Sequence, residues 1–180
     1  MRNPILSLSK RFWNMREGER VASRRGARFL LNSRRFVDHR LLSGLPFENE
    51  AMDFAAKLIV CLKLDHVVDI GANMGLYSVV LGKRDDVASV VAIEPLKRNH
   101  AQLLANLFLN DLLDKVAVHR IGVSDSAREA ELFIYPDSPA DSSLDPSRIT
   151  TKLQKFTQSE MITLRPLDDV LDWSARRVFM

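Results

Sequence analysis

The segment VVDIGANMG, residues 67–75, joins a short apolar run to the start of a helical pattern. The apolar run at 66–70 suits a strand that is buried on both faces of a parallel sheet. Gly71 and Gly75 flank a turn, because glycine lets the backbone bend sharply and lets a ligand approach the main chain. Free amides at the start of the following helix favour electronegative ligand groups. The segment therefore predicts a strand, a turn and a helix, with a ligand site at the turn.

Helical and strand-like patterns alternate on both sides of this segment. Residues 48–62 carry apolar side chains at helical spacing, and residues 97–109 do so again after a second buried run at 90–93. A third apolar run follows at 116–121. This order implies an α/β fold whose parallel strands are joined by right-handed crossovers.

Beyond the third run the pattern is less regular. The remaining chain predicts strands at 130–135 and 161–164, a loop at 136–148, a short helix at 167–173 and the start of a strand at 178–180.

Acidic side chains follow the apolar runs. Asp69 ends the first run, where it can meet a ligand's amino group directly or through water, and Glu94 ends the second. A carboxylate at the position of Glu94 can accept hydrogen bonds from both hydroxyls of a ribose. Asp125, which follows the third run, can meet an adenine amino group, although Ser124-Asp125 also starts turns well. Because parallel strand ends share one edge of a sheet, these residues predict a crevice for a nucleotide-like ligand.

Two classes of cofactor use this arrangement. Dinucleotides require Gly-x-Gly-x-x-Gly, in which the second glycine admits the pyrophosphate. Asn73 stands in that position here, whereas the adenosine and methionine parts of S-adenosylmethionine need no such approach. The turn therefore favours S-adenosylmethionine over NAD, with a predicted cofactor-binding set of Asp69, Gly71, Asn73, Gly75, Glu94 and Asp125.

Charge is unevenly distributed along the 180 residues, whose net charge is +3. Residues 1–45 contain 11 Lys and Arg against 3 acidic side chains, so we predict a basic helical N-terminal extension at 1–45 and the α/β domain at 46–180. Phe12 and Trp13 interleave with the basic residues, which would suit an interfacial helix on an anionic membrane. Nucleic acid, the acidic face of the chain's own domain, or solvent alone are the alternatives. Nucleic acid is the partner that we expect least.

The sequence gives no sign of export or of metal binding. It contains neither an 18-residue apolar run nor a secretory signal. The one cysteine, Cys61, lies in an apolar helical run, so we expect a core residue in a reducing compartment. The histidines are scattered without metal-ligand spacing. We therefore expect a cytoplasmic protein without a metal, held at a membrane surface only if the basic extension binds there.

The motifs taken together resemble the FkbM family of S-adenosylmethionine-dependent methyltransferases. The segments that carry the resemblance are VVDIGANMGLYS at 67–78, AIEP at 92–95 with Asn99 following, GVSD at 122–125 and RPLDDVL at 165–171. The resemblance runs from about residue 48 to the end of the chain.

The resemblance implies the first half of a Rossmann-like class I methyltransferase sheet. It also implies S-adenosylmethionine as cofactor and O-methylation of a sugar or secondary-metabolite hydroxyl, with a small-molecule or glycan acceptor. In the family, the strand that begins here at Val178 continues into an Ile-Asp-Val-Glu-Gly type motif and into elements that shape the acceptor pocket. We therefore expect a chain truncated at its C-terminus, in which no general base can be named. The alternative is a non-catalytic remnant or interaction module of the same fold.

Overall fold

The computed structural model describes residues 18–134, 142–145, 147, 158–171 and 177–180. The helices are α1 (Phe36–Leu42), α2 (Asn49–Leu62), α3 (Leu76–Gly82) and α4 (Lys97–Phe108), with a 3-10 turn at Leu167–Asp169. The strands are β1 (Glu19–Arg24), β2 (Ala27–Asn32), β3 (His66–Ile70), β4 (Ser89–Ile93), β5 (Val116–His119), β6 (Gly122–Val123), β7 (Arg128–Ile134), β8 (Gln158–Arg165) and β9 (Val178–Phe179).

The central sheet is parallel, in the strand order β5-β4-β3-β9. Val67 pairs with Val90, and Val90 pairs with Val116, so one face of the sheet carries an unbroken row of valines. This face packs against helices α3 and α4, whose Val79 and Leu103 are fully buried in the same core. The predicted alternation of strands and helices is thereby confirmed, and the described sheet corresponds to part of a Rossmann-like fold.

The structure corrects the prediction of a helical extension for residues 19–32, which form an antiparallel hairpin, β1–β2. Of the part of the extension that the structure describes, α1 is the only helix. In β2, buried Phe29 and Leu31 alternate with more exposed neighbours, which is the period of a strand. Arg25 and Gly26 both have positive φ, as a two-residue hairpin turn requires. For residues 19–32 the prediction was wrong, because the many arginines of this segment obscured the alternation. Residues 1–17 lie outside the described residues.

The hairpin is packed into the main core. Phe29 and Leu31 belong to the same buried cluster as the valines of the central sheet. Asn106 of α4 is fully buried, and its Oδ1 accepts a hydrogen bond from Leu30 N (2.6 Å). Its Nδ2 donates to Met74 O (2.7 Å), in the turn that follows β3. The side chain of Asn106 therefore connects the hairpin to this turn. The domain boundary after residue 45 stays a prediction.

Several arginines of the predicted basic extension bond within the chain. The guanidinium of Arg24 donates to Leu41 O and to Leu42 O (2.8 Å). Arg40 Nε donates to Pro46 O (3.0 Å), and Arg25 forms an ion pair with Asp53. The extension thus contacts its own domain. Binding of this extension to an anionic membrane surface stays a prediction.

The chain after β5 builds a second sheet in the order β6-β8-β7. Strands β7 and β8 pair antiparallel over their length, and Leu132, Ile162 and Leu164 form a small core with Leu96. Both strands were predicted at these places. The run predicted at 116–121 is interrupted after β5, and the predicted helix at 167–173 is described only as one 3-10 turn. The predicted loop lies largely outside the described residues.

Helix α2 buries one stripe, formed by Met52, Ala55 and Ile59. Cys61 falls on the opposite side and is exposed, so the prediction of a core cysteine was wrong. The local run of apolar residues suggested burial, but the helical period decides which of them face the core. Among the described residues, no helix is long and apolar enough to cross a membrane.

Candidate functional site

The turn after β3 is tightly bent and fixed to the neighbouring strand. Gly71, Asn73 and Gly75 have positive φ values of 78°, 51° and 88°. Glycine and asparagine are the residues that adopt this region at least cost. Gly71 N and Ala72 N each donate to Ile93 O (2.9 Å) at the end of β4. The main chain of the turn is therefore fixed where β3 and β4 end.

The two glycines have different surroundings. Gly71 is exposed, and a Cβ added to it would meet no atom within 4 Å. Gly75 is buried, and an added Cβ would lie 2.4 Å from Leu103 Cδ1 of α4. Gly71 thus keeps the main chain open towards the solvent side, whereas Gly75 lets α4 pack closely against the turn.

We expect Gly75→Ala to lower the free energy of unfolding by about 2–4 kcal/mol, from a strained φ together with overpacking against Leu103. Urea denaturation measures this difference. Gly71→Ala is the matched control, because it carries a similar φ but no steric contact and should cost about 1–2 kcal/mol. Equal losses in both variants would show that the contact with Leu103 adds nothing.

Glu94 lies buried at the end of β4, with 4% of its surface exposed. Its Oε2 accepts from Asn73 N (2.8 Å), and its Oε1 accepts from Leu96 N (3.0 Å) and Asn99 Nδ2 (3.3 Å). A carboxylate offers about four acceptor positions, so Glu94 has capacity for a further donor. Burial and the nearby Asp69 raise the pKa of Glu94, while its three hydrogen bonds oppose that rise.

Asp69 is held by the first turn of α3. Its Oδ2 accepts from Ser78 N (3.0 Å) and Ser78 Oγ (2.6 Å). Burial raises the pKa of Asp69, and the two bonds from Ser78 oppose that rise. A carboxylate at this place complements the positive end of the helix.

A cleft of about 470 Å³ opens at the ends of β3 and β4, within the usual size range of small-molecule sites. At its wall, Tyr77 is hydrogen-bonded to Glu48, and burial together with this carboxylate raises the pKa of Tyr77 to about 12. The residues that line the cleft are Val37, Phe47, Glu48, Asp69, Ile70, Gly71, Ala72, Asn73, Met74, Leu76, Tyr77, Glu94, Pro95, Leu96, Asn99, Leu132 and Ser142.

Four of the six predicted cofactor residues line this cleft, namely Asp69, Gly71, Asn73 and Glu94. Gly75 lies behind the turn and is absent from the lining. The roles of all six in binding stay predictions.

The structure does not bring Asp125 to the cleft lining. Its carboxylate is exposed and bonds to Ser124, Ser126 and Arg128. The chain leaves the central sheet after β5, and β6 pairs with β8 in the second sheet. The third strand, β5, ends beside β4, where Glu94 N donates to His119 O (3.1 Å), but Asp125 follows six residues later and is exposed. Within the described residues, no cluster of side chains could hold a metal ion.

Sequence reasoning missed the side of the cleft formed before β3. Val37, Phe47 and Glu48 line it, although they lie where the basic extension was predicted to end. Their helical and loop context gives no local signal of a site. Val37 belongs to α1, which packs beside β2, and Phe47 and Glu48 lie between α1 and α2.

No protein-family model matches the chain. Over 80 residues, 44% of its length, the chain is 38% identical to Methyltransferase sdnD of Sordaria araneosa and covers 31% of that protein. Over 70 residues, 39% of its length, it is 43% identical to AMB antimetabolite synthetase AmbE of Pseudomonas aeruginosa and covers 3% of it. The chain thus spans less than a third of the curated relatives that it matches. The predicted resemblance to methyltransferases is confirmed over the matched stretch.

Solved structures with a similar arrangement include methyltransferase FkbM from Methylobacillus flagellatus, 22% identical, with a TM-score of 0.37 over 66% of this chain and 26% of that one. The TYW2 protein of M. jannaschii, solved in complex with AdoMet, is 21% identical, with a TM-score of 0.40 over 57% of this chain and 42% of that one.

Proposed function

We propose that this chain binds S-adenosylmethionine and belongs to a methyltransferase. The observation that carries the proposal is the position of Glu94, a buried carboxylate in the wall of the same cleft as Gly71 and Asn73. The similarity to a curated methyltransferase supports it.

The residues present fit this cofactor. Glu94 has a free acceptor position for the ribose hydroxyls, and Gly71 leaves its main chain open to the cleft. Asp69 and Glu48 add negative charge to the wall, which suits the ammonium and sulfonium groups of the cofactor. When bound, the cofactor supplies a methyl group that is already activated by the positive charge on sulfur.

The same features disfavour a dinucleotide. Pyrophosphate is normally received by free amides at a glycine-rich turn. Here Asn73 N is not free, because it donates to Glu94 Oε2 (2.8 Å). The carboxylates of Glu48, Asp69 and Glu94 in the wall would also repel the negatively charged pyrophosphate. Charge complementarity therefore favours a cationic ligand.

For the acceptor, we propose a hydroxyl group of a sugar or secondary metabolite, so that the reaction is an O-methylation. The resemblance to the FkbM family supports this proposal. Methyl transfer to oxygen requires alignment of the hydroxyl with the methyl carbon, and a base can assist by taking the hydroxyl proton. We assign no general base among the described residues. Transfer of a labelled methyl group to a panel of sugars and polyketides would test the acceptor class.

Isothermal titration of the folded chain with S-adenosylmethionine tests the donor site, with NAD as the negative control. We expect affinity to rise with pH through the raised pKa of Glu94, by at most about tenfold per pH unit, and then to level off. The sign follows because ribose hydroxyls donate to the ionised carboxylate and not to the acid. A folded sample that shows no binding at millimolar S-adenosylmethionine, or binds NAD equally well, would overturn the proposal.

A further inference from the structure

We propose that Arg35 is a positioning residue for the cofactor site, because it orients the side-chain amide of Asn99 that bonds to Glu94. The link to the cofactor rests on the proposed function. The orientation of Glu94 by Arg35 is independent of it.

Arg35 lies between β2 and α1 and is largely buried, with 9% of its surface exposed. Its Nη1 donates to Asn99 Oδ1 (3.1 Å) and to Gln102 Oε1 (2.8 Å), both on α4. A guanidinium can only donate hydrogen bonds. Arg35 therefore fixes which end of each amide faces it.

The consequence for Asn99 is that its Nδ2 points away from Arg35 and donates to Glu94 Oε1 (3.3 Å). The reversed amide would place Oδ1 against the Glu94 carboxylate and Nδ2 against the guanidinium. Both contacts would be repulsive, in a buried place where an unmatched polar group costs most. Arg35 thus decides that Asn99 acts as a donor to Glu94.

The second side-chain amide, that of Gln102, connects Arg35 to the hairpin side of the network. Gln102 Nε2 donates to Asp38 Oδ2 (2.8 Å) and to Leu30 O (2.8 Å) of β2. Asn32 N also donates to Asp38 Oδ2 (2.8 Å). Gln102 therefore connects Arg35 to a buried carboxylate on the hairpin side, while the contact of Arg35 with Asn99 is separate from this link.

Charged groups act on Arg35 from several elements. Arg35 interacts electrostatically with Asp38, Glu94, Glu19 and Arg98, and Asp69 also acts on Glu94. Burial lowers the pKa of Arg35, and the attraction to Asp38 and Glu94 opposes that lowering. Removing the charge of Arg35 should therefore make Glu94 harder to ionise.

Carboxyl-carbon NMR titration of Glu94 in the ligand-free chain tests this assignment directly. We expect Arg35→Met to raise the titration midpoint of Glu94 by about half a pH unit or more. Gln102→Met is the matched variant, because it breaks the same buried network but leaves the Arg35–Asn99–Glu94 connection in place. It should destabilise the fold without moving the midpoint of Glu94. Arg28→Met, which removes an exposed charge from β2, should leave both properties unchanged.

The same variants are then titrated with S-adenosylmethionine. Arg35→Met should weaken binding about tenfold, because Asn99 Nδ2 is no longer fixed as a hydrogen-bond donor to the charged Glu94. Gln102→Met should bind nearly as well as the unmodified chain. If the midpoints behave as expected but no variant binds S-adenosylmethionine, the proposed function fails and the positioning of Glu94 stands.

An unchanged midpoint of Glu94 in folded Arg35→Met, or an equal shift in Gln102→Met, would overturn the proposal. Should Arg35→Met not fold, Arg35→Lys provides the test. Its shorter side chain keeps the charge but cannot reach both amides, so the midpoint of Glu94 should rise above that of the unmodified chain. No rise at all would contradict the role of Arg35.

Discussion

Phe29→Ala is expected to lower the free energy of unfolding by about 3–5 kcal/mol, the usual cost of removing a fully buried aromatic side chain. Phe29 is 0% exposed and packs in the core shared by the hairpin and the central sheet. A loss of this size is a large part of the 5–15 kcal/mol that stabilises a typical domain. Urea denaturation monitored by circular dichroism would measure it.

Val21→Ala is the control for Phe29→Ala. Val21 lies on β1 of the same hairpin but is 54% exposed, so its truncation should cost less than about 0.5 kcal/mol. Phe29→Leu should fall between the two, because it keeps most of the buried volume. If Phe29→Ala unfolded at the same urea concentration as Val21→Ala, the hairpin would not belong to the cooperative core.

The hairpin shows where local sequence patterns fail. Strands β3 and β4 were predicted correctly because short apolar runs between glycine, proline and helical patterns suffice to identify buried parallel strands. Strand β2 has an equally regular alternation of period two. Its exposed positions include Arg28. The positive charge of the whole segment led instead to the prediction of an interfacial helix.

Long-range pairing explains the error at Asp125. The sequence predicts the strand that precedes it, but the partner of β6 is β8, more than 30 residues further along the chain. No local pattern reports which strand a short segment joins. Asp125 lies in an exposed bend, bonds to Ser126 and is absent from the cleft lining.

The burial of Arg35 was equally invisible in the sequence, where it is one of many arginines. An arginine is buried only when acceptors surround it, and its acceptors here are amides of α4 that lie more than 60 residues away. Candidate cofactor-binding residues can therefore be predicted at strand ends, while a residue that contacts them from elsewhere in the chain is found only in the tertiary structure.

Glu94→Gln is expected to weaken binding of S-adenosylmethionine at least about a hundredfold, which corresponds to about 3 kcal/mol. The substitution keeps the size of the side chain but replaces one acceptor oxygen by an NH₂ donor. That donor must face either Asn73 N or Leu96 N, both of which already donate to Glu94. The variant thus loses the charge that receives the ribose hydroxyls and disturbs the turn that carries Gly71.

The effect of Glu94→Gln on binding has to be separated from its effect on folding. Glu160→Gln is the matched control, because Glu160 also accepts from a main-chain amide at the start of α4, Lys97 N (3.1 Å), yet does not line the cleft. It should bind S-adenosylmethionine within about twofold of the unmodified chain. Calorimetric titration at a pH above the midpoint of Glu94 compares the two. In Glu94→Gln the rise of affinity with pH should also shrink to the part that Asp69, whose pKa is likewise raised by burial, contributes. An unchanged pH dependence in Glu94→Gln, or an equal loss of affinity in Glu160→Gln, would show that Glu94 does not receive the cofactor.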